Sequence, residues 1–222
     1  MAIIKKHDFV EIDYTGRIKE DNSIFDTTEE KVAKENSVYD KSAHYEPVVI
    51  CLGENNMLKA LEEQLIGMET GKELVFDIES IDAFGKRDAK LIQLMPMSKF
   101  RQHNIQPVPG LQLNIDGVFG IVKTVSSGRC LVDFNHPLAG KDLVYSAKIN
   151  RIVADDIEKI KSLIKLHLTS KDARVELKDS NAQISLEENI PKDAQEEFKK
   201  IVEKLVTAVK SVEFIIKEDK NK

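Results

Sequence analysis

The side chains that most often do chemistry in enzymes are present in this chain, but they are not spaced as catalytic or metal-binding groups. Its five histidines are scattered without metal-ligand spacing and are interpreted as surface or packing residues: His7, His44, His103, His136 and His167. There is no phosphate-binding glycine loop, dinucleotide fingerprint, HExxH helix or CxxC pair. The adjacent carboxylates Glu62 and Glu63 are predicted to lie solvated on the polar face of a helix. An enzyme built from this chain must therefore catalyse a reaction that needs no nucleophile, metal or proton shuttle.

Composition narrows the class of protein further. The chain has 222 residues, of which 41% are hydrophobic and 32% are charged, as in globular proteins of one or two domains. A net charge of −5 without a basic block argues against a general nucleic-acid binder. No apolar run approaches the roughly 20 residues that span a bilayer, and the first residues lack the features of a signal peptide. Cys51 and Cys130 lie in apolar runs and are interpreted as reduced, buried thiols, which predicts a cytoplasmic protein without a membrane partner.

Alternation of apolar and polar residues predicts the strands of a first domain, at 9–16, 24–26, 47–52, 72–78 and 143–149. The charge-rich stretch 27–46 is predicted to be mainly loop, with a short helix at 29–35. An amphipathic helix follows, for which Asn55 or Asn56 is predicted as the N-cap and Gly67 as the stop.

The rest of the chain changes character twice. Residues 88–133 are rich in Met, Pro and Gly and contain short β-like runs, at 91–100, 111–115, 118–125 and 129–134. Beyond Ala154 the pattern predicts a helix, a hairpin, a helix and a strand. The second of these helices carries a long apolar stripe from Phe198 to Val209, which needs cover.

Rotation about a prolyl peptide bond is one reaction that meets the chemical requirement. Its barrier is about 18–20 kcal/mol, and unaided it takes on the order of tens to hundreds of seconds. The twisted transition state has lost its resonance and has a less polar carbonyl, so a dry, apolar cleft favours it over the planar ground state. Such a cleft needs aromatic and branched side chains with one or two hydrogen-bond anchors. Because only 6% of the residues are aromatic and none is Trp, the position of each Phe and Tyr is informative.

Four motifs, ordered along residues 1–152, carry a family resemblance. They are VEIDYTG at 10–16 followed by FD at 25–26, GENNMLKALEE at 53–63, DAFG at 82–85 and NHPLAGK at 135–141. Together they resemble the opening strands, the pocket-floor helix, the flap entrance and the return strand of FKBP-type peptidyl-prolyl isomerases, in a SlyD-like, long archaeal-type form. Each motif is weak alone, but the ordered set is specific.

The resemblance implies an α+β fold. An FKBP-like antiparallel half-barrel wraps on a short helix, with an inserted small β-rich flap domain and a C-terminal α/β module of order α-β-β-α-β. The implied domains are an isomerase domain at 1–86 plus 134–152, an insert-in-flap chaperone domain at 87–133, and a C-terminal module at 155–222.

The resemblance also assigns the pocket residue by residue, to Tyr14, Phe25, Asp26, Val48, Met57, Leu58, Leu61, Phe84 and Tyr145. It implies that a backbone amide at the helix start, near Met57 and Leu58, holds a ligand carbonyl. Phe84 stands where the family usually has Tyr, so a hydroxyl anchor on the order of 0.5–1.5 kcal/mol is missing. Macrolide ligands are therefore expected to bind weakly. From periodicity alone, the same residues would be ordinary core residues.

In the insert, apolar side chains are expected to form a chaperone surface for unfolded chain, or to fill a small β-core: Met95, Met97, Phe100, Ile105, Val108, Leu111 and Phe119. The predicted function is prolyl isomerisation combined with chaperoning of unfolded or nascent polypeptides. The alternative is a holdase with a weak or inactive pocket, which Phe84 keeps open. No cofactor or metal is implied, and a metallochaperone is disfavoured because the chain ends without a tail rich in His and Cys.

The C-terminal module is predicted to mediate a homodimer. At roughly 68 residues it is close to the size at which a lone core is marginal. Pairing with a second copy would cover more of its apolar stripe, and a two-fold dimer is the commonest way to do so. A self-contained monomeric module is the alternative.

Overall fold

A computed structural model gives the fold of this chain and describes residues 2–115, 117–168, 173–186 and 190–216. The charged tail 217–222, which the sequence suggests is frayed, lies outside the described residues. The chain forms two compact units, one joining Met1–Ile78 to Leu143–Lys222 and the other spanning Glu79–Asp142. No helix among the described residues is long and apolar enough to cross a membrane.

The secondary structure alternates short strands with few helices. The chain begins with β1 (Phe9–Ile18), β2 (Ile24–Thr27), α1 (Glu30–Glu35), β3 (Val48–Cys51), α2 (Lys59–Leu65) and β4 (Glu73–Ile78). The second unit contains β5 (Ile92–Pro96), α3 (Met97–Gln102), β6 (Gln112–Ile115), β7 (Val118–Ser126) and β8 (Arg129–Asp133). The chain then continues through β9 (Leu143–Ile152), α4 (Asp156–His167), β10 (Arg174–Lys178), β11 (Asn181–Leu186), α5 (Lys192–Leu205) and β12 (Ser211–Ile216). The predicted α+β class with antiparallel sheets is confirmed.

Strand β1 organises the main sheet of the first unit. The strand order is β2-β1-β9-β4, and β3 also pairs with β1. All of these pairings are antiparallel. Helix α2 packs against β4, and its Leu61 and Leu65 are fully buried. The apolar residues that the sequence spaces along β1 and α2 are therefore the ones that close this part of the core.

The C-terminal elements build a second sheet in the order β10-β11-β12, in which β11 and β12 are parallel. Asp155 caps α4 by accepting the Glu158 amide at 2.7 Å, as a capping carboxylate should. The core of these elements also contains Phe9, Cys51 and Val153, which belong to or follow the strands of the main sheet. The C-terminal elements and the main sheet thus share one hydrophobic core.

That shared core covers the apolar stripe of α5. Phe198, Val202, Val206 and Val209 are all at most 3% exposed within the single chain. Because the stripe is already buried, it does not require a second copy of the chain for cover. The predicted homodimer stays a prediction, but it no longer follows from this stripe.

The insert differs from its predicted pattern in one place. The run 91–100 was predicted to be β-like, but β5 ends at Pro96 and α3 begins at Met97. Met97 and Phe100 are three residues apart, which is the spacing of neighbours on a helix face, and both pack into the core of the insert sheet. That sheet has the order β5-β8-β7-β6.

The shared core generates a test with the two cysteines. Cys51 is fully buried, and this burial raises the pKa of its thiol to about 12. In a chain that ends at Ala154, Cys51 loses the cover of α4 and α5, so its pKa should fall towards the ordinary value. We expect its alkylation at pH 8 to accelerate about tenfold or more, measured peptide by peptide with mass spectrometry.

Cys130 is the internal control, because it is fully buried in the core of the other unit. The alkylation rate of Cys130 should not change in the shortened chain. An unchanged rate at Cys51 would mean that the main sheet alone buries this thiol.

Candidate active site

A cavity of about 250 Å³ opens at the end of the main sheet, beside β1 and β2. The residues that line it from the strands and their ends are Tyr14, Phe25, Asp26, Thr27, Thr28 and Val48. Four of the residues assigned from the sequence therefore meet here, although they come from three different strands: Tyr14, Phe25, Asp26 and Val48.

An aromatic cluster stands at this cavity. The Tyr145 ring lies 5.7 Å from the Phe25 ring in an edge-on arrangement and 6.0 Å from the tilted Tyr14 ring, measured between centroids. Gly16, which pairs with both Asp26 and Tyr145 across the sheet, makes this packing possible. A Cβ at Gly16 would lie only 2.6 Å from Phe25 Cζ. The glycine of the motif is thus required by the approach of two rings to the backbone.

The cavity has one polar edge within this apolar wall. The Tyr14 hydroxyl donates to Asp26 Oδ2 at 2.8 Å. Burial, together with the Asp26 carboxylate, raises the pKa of the Tyr14 phenol far above its ordinary value. Burial likewise raises the pKa of Tyr145, with a smaller contribution from Asp26. Both phenols therefore stay neutral hydrogen-bond donors at physiological pH.

The loop after α1 supplies the other wall of the cavity, through Val38, Asp40, Ala43, His44 and Tyr45. Two stacked tyrosines hold this loop, with the Tyr39 and Tyr45 rings 5.4 Å apart. The Tyr45 hydroxyl also accepts the Asp40 amide at 2.8 Å. The sequence reasoning missed these residues. The available signal was the presence of two scarce aromatic residues in an otherwise polar loop.

Glu62 organises the start of α2, contrary to prediction. Its side chain was predicted to be solvated, but Glu62 is only 1% exposed. Its carboxylate accepts the amides of Gly53 at 2.7 Å, Asn55 at 3.2 Å and Met57 at 2.8 Å. Three otherwise unpaired backbone donors explain why a buried carboxylate is tolerated here.

The predicted asparagine cap was also wrong. Helix α2 has Leu58 at its N-cap, without a side-chain cap bond. Asn56 Oδ1 instead accepts the Cys51 amide at 2.9 Å, and the loop donors that an N-cap would serve are taken by Glu62. Gly67 does follow the end of the helix, with a positive φ of 88°.

The remaining assigned residues are placed as follows. Met57 and Leu58 precede α2, and the Met57 amide donates to Glu62. That a backbone amide of this segment holds a ligand carbonyl stays a prediction. Leu61 is fully buried. Phe84 belongs to the second unit, where its ring stacks on His136 with centroids 4.3 Å apart. His136 is thus a packing residue.

The predicted chaperone surface divides into buried and exposed residues. Met95 and Phe100 are buried in the core of the insert, so their assignment to a client-binding surface was wrong. Met97, Ile105 and Leu111 are partly buried against the same core. The large apolar residues that are exposed on this unit include Leu91, Leu94, Val108, Val118 and Phe119. Val118 and Phe119 are the first residues of β7, opposite Ile115 and Asn114 of β6.

Within the described residues, no group of three or more His, Cys, Asp or Glu side chains is placed to hold a metal ion. Cys51 and Cys130 are free and buried, in different units.

Comparisons with known proteins match this chain to prolyl isomerases. Residues 2–100 match the family described as FKBP-type peptidyl-prolyl cis-trans isomerase, and residues 93–138 match the one described as FKBP26, IF domain. A short-type peptidyl-prolyl cis-trans isomerase of Methanocaldococcus jannaschii is 35% identical over 150 residues, which cover 68% of this chain and 94% of that protein. An FKBP-type 16 kDa peptidyl-prolyl cis-trans isomerase of Escherichia coli is 28% identical over 110 residues, covering 48% and 74%.

The SlyD isomerase of Helicobacter pylori is 26% identical over 115 residues, covering 50% of this chain and 62% of that protein. The chain described here belongs to the FKBP-type peptidyl-prolyl cis-trans isomerases, and the family resemblance of its sequence motifs is confirmed.

The role of Glu62 can be tested by removing its charge. Glu62→Gln replaces charge-assisted bonds with weaker ones and turns an amide NH₂ towards backbone donors, so we expect a loss of about 1.5–3 kcal/mol in the free energy of unfolding. Glu63→Gln is the matched control, because Glu63 is exposed and forms a surface ion pair with Lys59, and its effect should stay below about 0.5 kcal/mol. Urea unfolding of both variants measures the difference. Equal effects would show that the buried bonds contribute no more than a surface ion pair.

Proposed function

We propose that this chain catalyses rotation about X–Pro bonds of unfolded polypeptides in the cavity beside β1 and β2. The observation that carries the proposal is the cluster of Tyr14, Phe25 and Tyr145 around one polar edge, at Asp26. An apolar enclosure of this kind stabilises the less polar, twisted amide relative to the planar one. Neither covalent chemistry nor proton transfer is needed, which fits phenols that stay neutral.

Substrate orientation in this proposal depends on the start of α2. Glu62 occupies the amides of Gly53, Asn55 and Met57, so the proposal assigns the substrate carbonyl to the amide of Leu58, the N-cap residue of α2. Glu62 would then act as a positioning residue that keeps the loop before Leu58 in one conformation. Val48 and the 38–45 loop limit the width of the cavity.

Chaperone activity is the second part of the proposal. The exposed apolar residues of the insert, chiefly Leu94, Val108, Val118 and Phe119, suit transient binding of unfolded chain. Because the insert is covalently joined to the isomerase domain, binding there raises the local concentration of prolyl bonds. The clients would be unfolded or nascent polypeptides in a reducing compartment such as the cytoplasm, where buried free thiols persist.

A holdase without isomerase activity is the alternative. It is favoured by Phe84, which stands where the family usually has Tyr and so lacks the hydroxyl that would bind a ligand. The Phe84 ring stacks on His136. Catalysis of a short proline-containing peptide separates the two functions, since a holdase binds unfolded chain but does not accelerate the isomerisation of a tetrapeptide.

The isomerase site predicts an order of effects on kcat/KM for a short proline tetrapeptide. Tyr145→Ala and Asp26→Ala should each reduce it by about tenfold or more, equivalent to ~1.4 kcal/mol of transition-state stabilisation. Tyr14→Phe keeps the ring and should cost less. Asp193→Ala, which removes an exposed carboxylate on α5, should leave the value within about twofold. Equal losses in all four variants would mean that the cavity is misassigned.

The chaperone surface predicts a difference between substrates. Phe119→Ser and Val108→Ser remove exposed apolar side chains without emptying the core of the insert. We expect catalysed refolding of a proline-limited protein to fall several-fold, because the effective concentration of client is lost, while tetrapeptide isomerisation is unchanged. Leu91→Ser, on the same unit but near the start of β5, serves as a comparison. A parallel fall with both substrates would contradict a separate binding surface.

A further inference from the structure

A second groove, of about 360 Å³, lies in the first unit between β3 and α4. Its residues are Pro47, Val48 and Val49 on the strand side, Lys161, Ser162, Lys165 and Leu166 on α4, and the carboxylates of Glu11, Glu46 and Glu158. The floor is apolar and the rim is charged. This groove is separate from the cavity described above, and the proposed isomerase reaction does not use it.

The backbone of β3 faces this groove with an open edge. Among the strands that the structure describes, β1 is the one partner of β3. The Leu52 amide donates to Asp8 O, at 3.1 Å, across that ladder, and hydrogen-bonded positions alternate along an antiparallel strand. Ile50 and Val48 therefore also bond to β1, whereas Val49 and Cys51 point their N–H and C=O groups outward.

The outward direction is supported by Cys51, whose amide donates to Asn56 rather than to β1. Val49 has no such neighbour: within the described part of the chain, its N–H and C=O find no partner beyond the strand edge. One residue in the wall of the groove thus offers both a free donor and a free acceptor. An extended polypeptide is the ligand that can use both at once.

The charges of the rim are unequally satisfied. Arg151 binds both Glu11 and Glu158, and Lys165 binds Glu46 at 2.8 Å. Among the described residues, Lys161 has no ion-pair partner, although it lines the same groove. Arg151 neutralises one of the two carboxylates that it binds, so the rim as a whole is close to neutral. Lys161 is the cation in it that an acidic side chain of the occupant can pair with.

The groove and the isomerase cavity share part of their lining. Val48 lines both of them, and the adjacent residues Tyr45 and Glu46 line one each. The segment 45–48 therefore contributes residues to both spaces.

We propose that this groove binds an extended, acidic–apolar segment of the same client polypeptide whose proline occupies the isomerase cavity. The segment pairs with the Val49 backbone as an added strand, rests its apolar side chains on Pro47, Val48 and Leu166, and places a carboxylate near Lys161. This inference rests on the proposed function, because it takes the client's proline to occupy the isomerase cavity. The C-terminal module then has a role in client binding, because it supplies the α4 wall.

The test uses three peptides with the full-length chain. A proline tetrapeptide reports on the isomerase cavity alone. A longer fluorescent peptide carries the same proline followed by an extended segment with Glu and apolar residues, and a third peptide has Lys in place of Glu. We expect the Glu peptide to bind more tightly than the Lys peptide, and to inhibit isomerisation of the tetrapeptide.

Two variants address the groove without touching the cavity. Val49→Pro removes the outward N–H, which an edge strand tolerates, and Lys161→Glu reverses the unpaired charge. Each should weaken the Glu peptide about three- to tenfold and leave tetrapeptide kcat/KM unchanged. Lys161→Glu should also come to prefer the Lys peptide. Lys200→Glu, an equal charge change on the exposed face of α5, should do none of this.

The outcomes separate this inference from the proposed function. If Val49→Pro does not fold, Leu166→Ser tests the floor, since Leu166 is already 39% exposed. If all variants bind the Glu peptide with equal affinity, the groove is not its binding site. If the wild type binds the Glu peptide through Lys161 but does not catalyse isomerisation of the tetrapeptide, the proposed isomerase function is wrong and the groove stands. Self-association of the wild type that Lys161→Glu abolishes would assign the groove to a second copy and would also overturn the proposal.

Discussion

The pairing of β1 with three other strands is the constraint on which the first unit depends. Side chains alternate along a strand, so β1 directs Phe9 towards the core of the C-terminal elements and Tyr14 towards the cavity beside β2. A shift of one residue in register would exchange these faces and remove both. The antiparallel ladder with β9 holds this register, and it also brings Tyr145 opposite Gly16. The cavity and the shared core are therefore two consequences of one set of strand pairings.

Polar groups fix local detail in the first unit. The buried carboxylate of Glu62 binds three loop amides before α2. The Asp26 carboxylate, which accepts the Tyr14 hydroxyl, helps burial to keep that phenol protonated. Both carboxylates act by fixing the position of hydrogen-bond donors. An arrangement of this kind suits a reaction in which shape and polarity change but no proton moves.

The segments outside the main sheet extend this arrangement in different ways. The loop at 38–45 gives the cavity a second wall and is itself held by the Tyr39–Tyr45 stack. The C-terminal elements cover Phe9 and Cys51 and add ion pairs such as Lys204–Glu54, at 2.6 Å. The insert forms its own sheet and core and leaves apolar residues on its surface. Its buried methionine and phenylalanine show that a compositional bias towards apolar residues does not by itself identify a binding surface.

The sequence by itself determined the α+β class, most of the strands and the family, because alternation and turn residues are local properties and the motifs occur in a specific order. The family resemblance also assigned Tyr14, Phe25, Asp26 and Val48 to one pocket, and the structure brings these four to one cavity. Only the tertiary structure decided the environment of Glu62, the wall supplied by the 38–45 loop and the burial of the α5 stripe. The wall and the stripe depend on residues that are distant along the chain, since the stripe shares its core with Phe9 and Cys51. Glu62 binds amides only five to nine residues away, but its burial requires a loop conformation that periodicity does not indicate. Local patterns indicate which face of an element is apolar, but what covers that face is set by long-range packing, which periodicity does not encode.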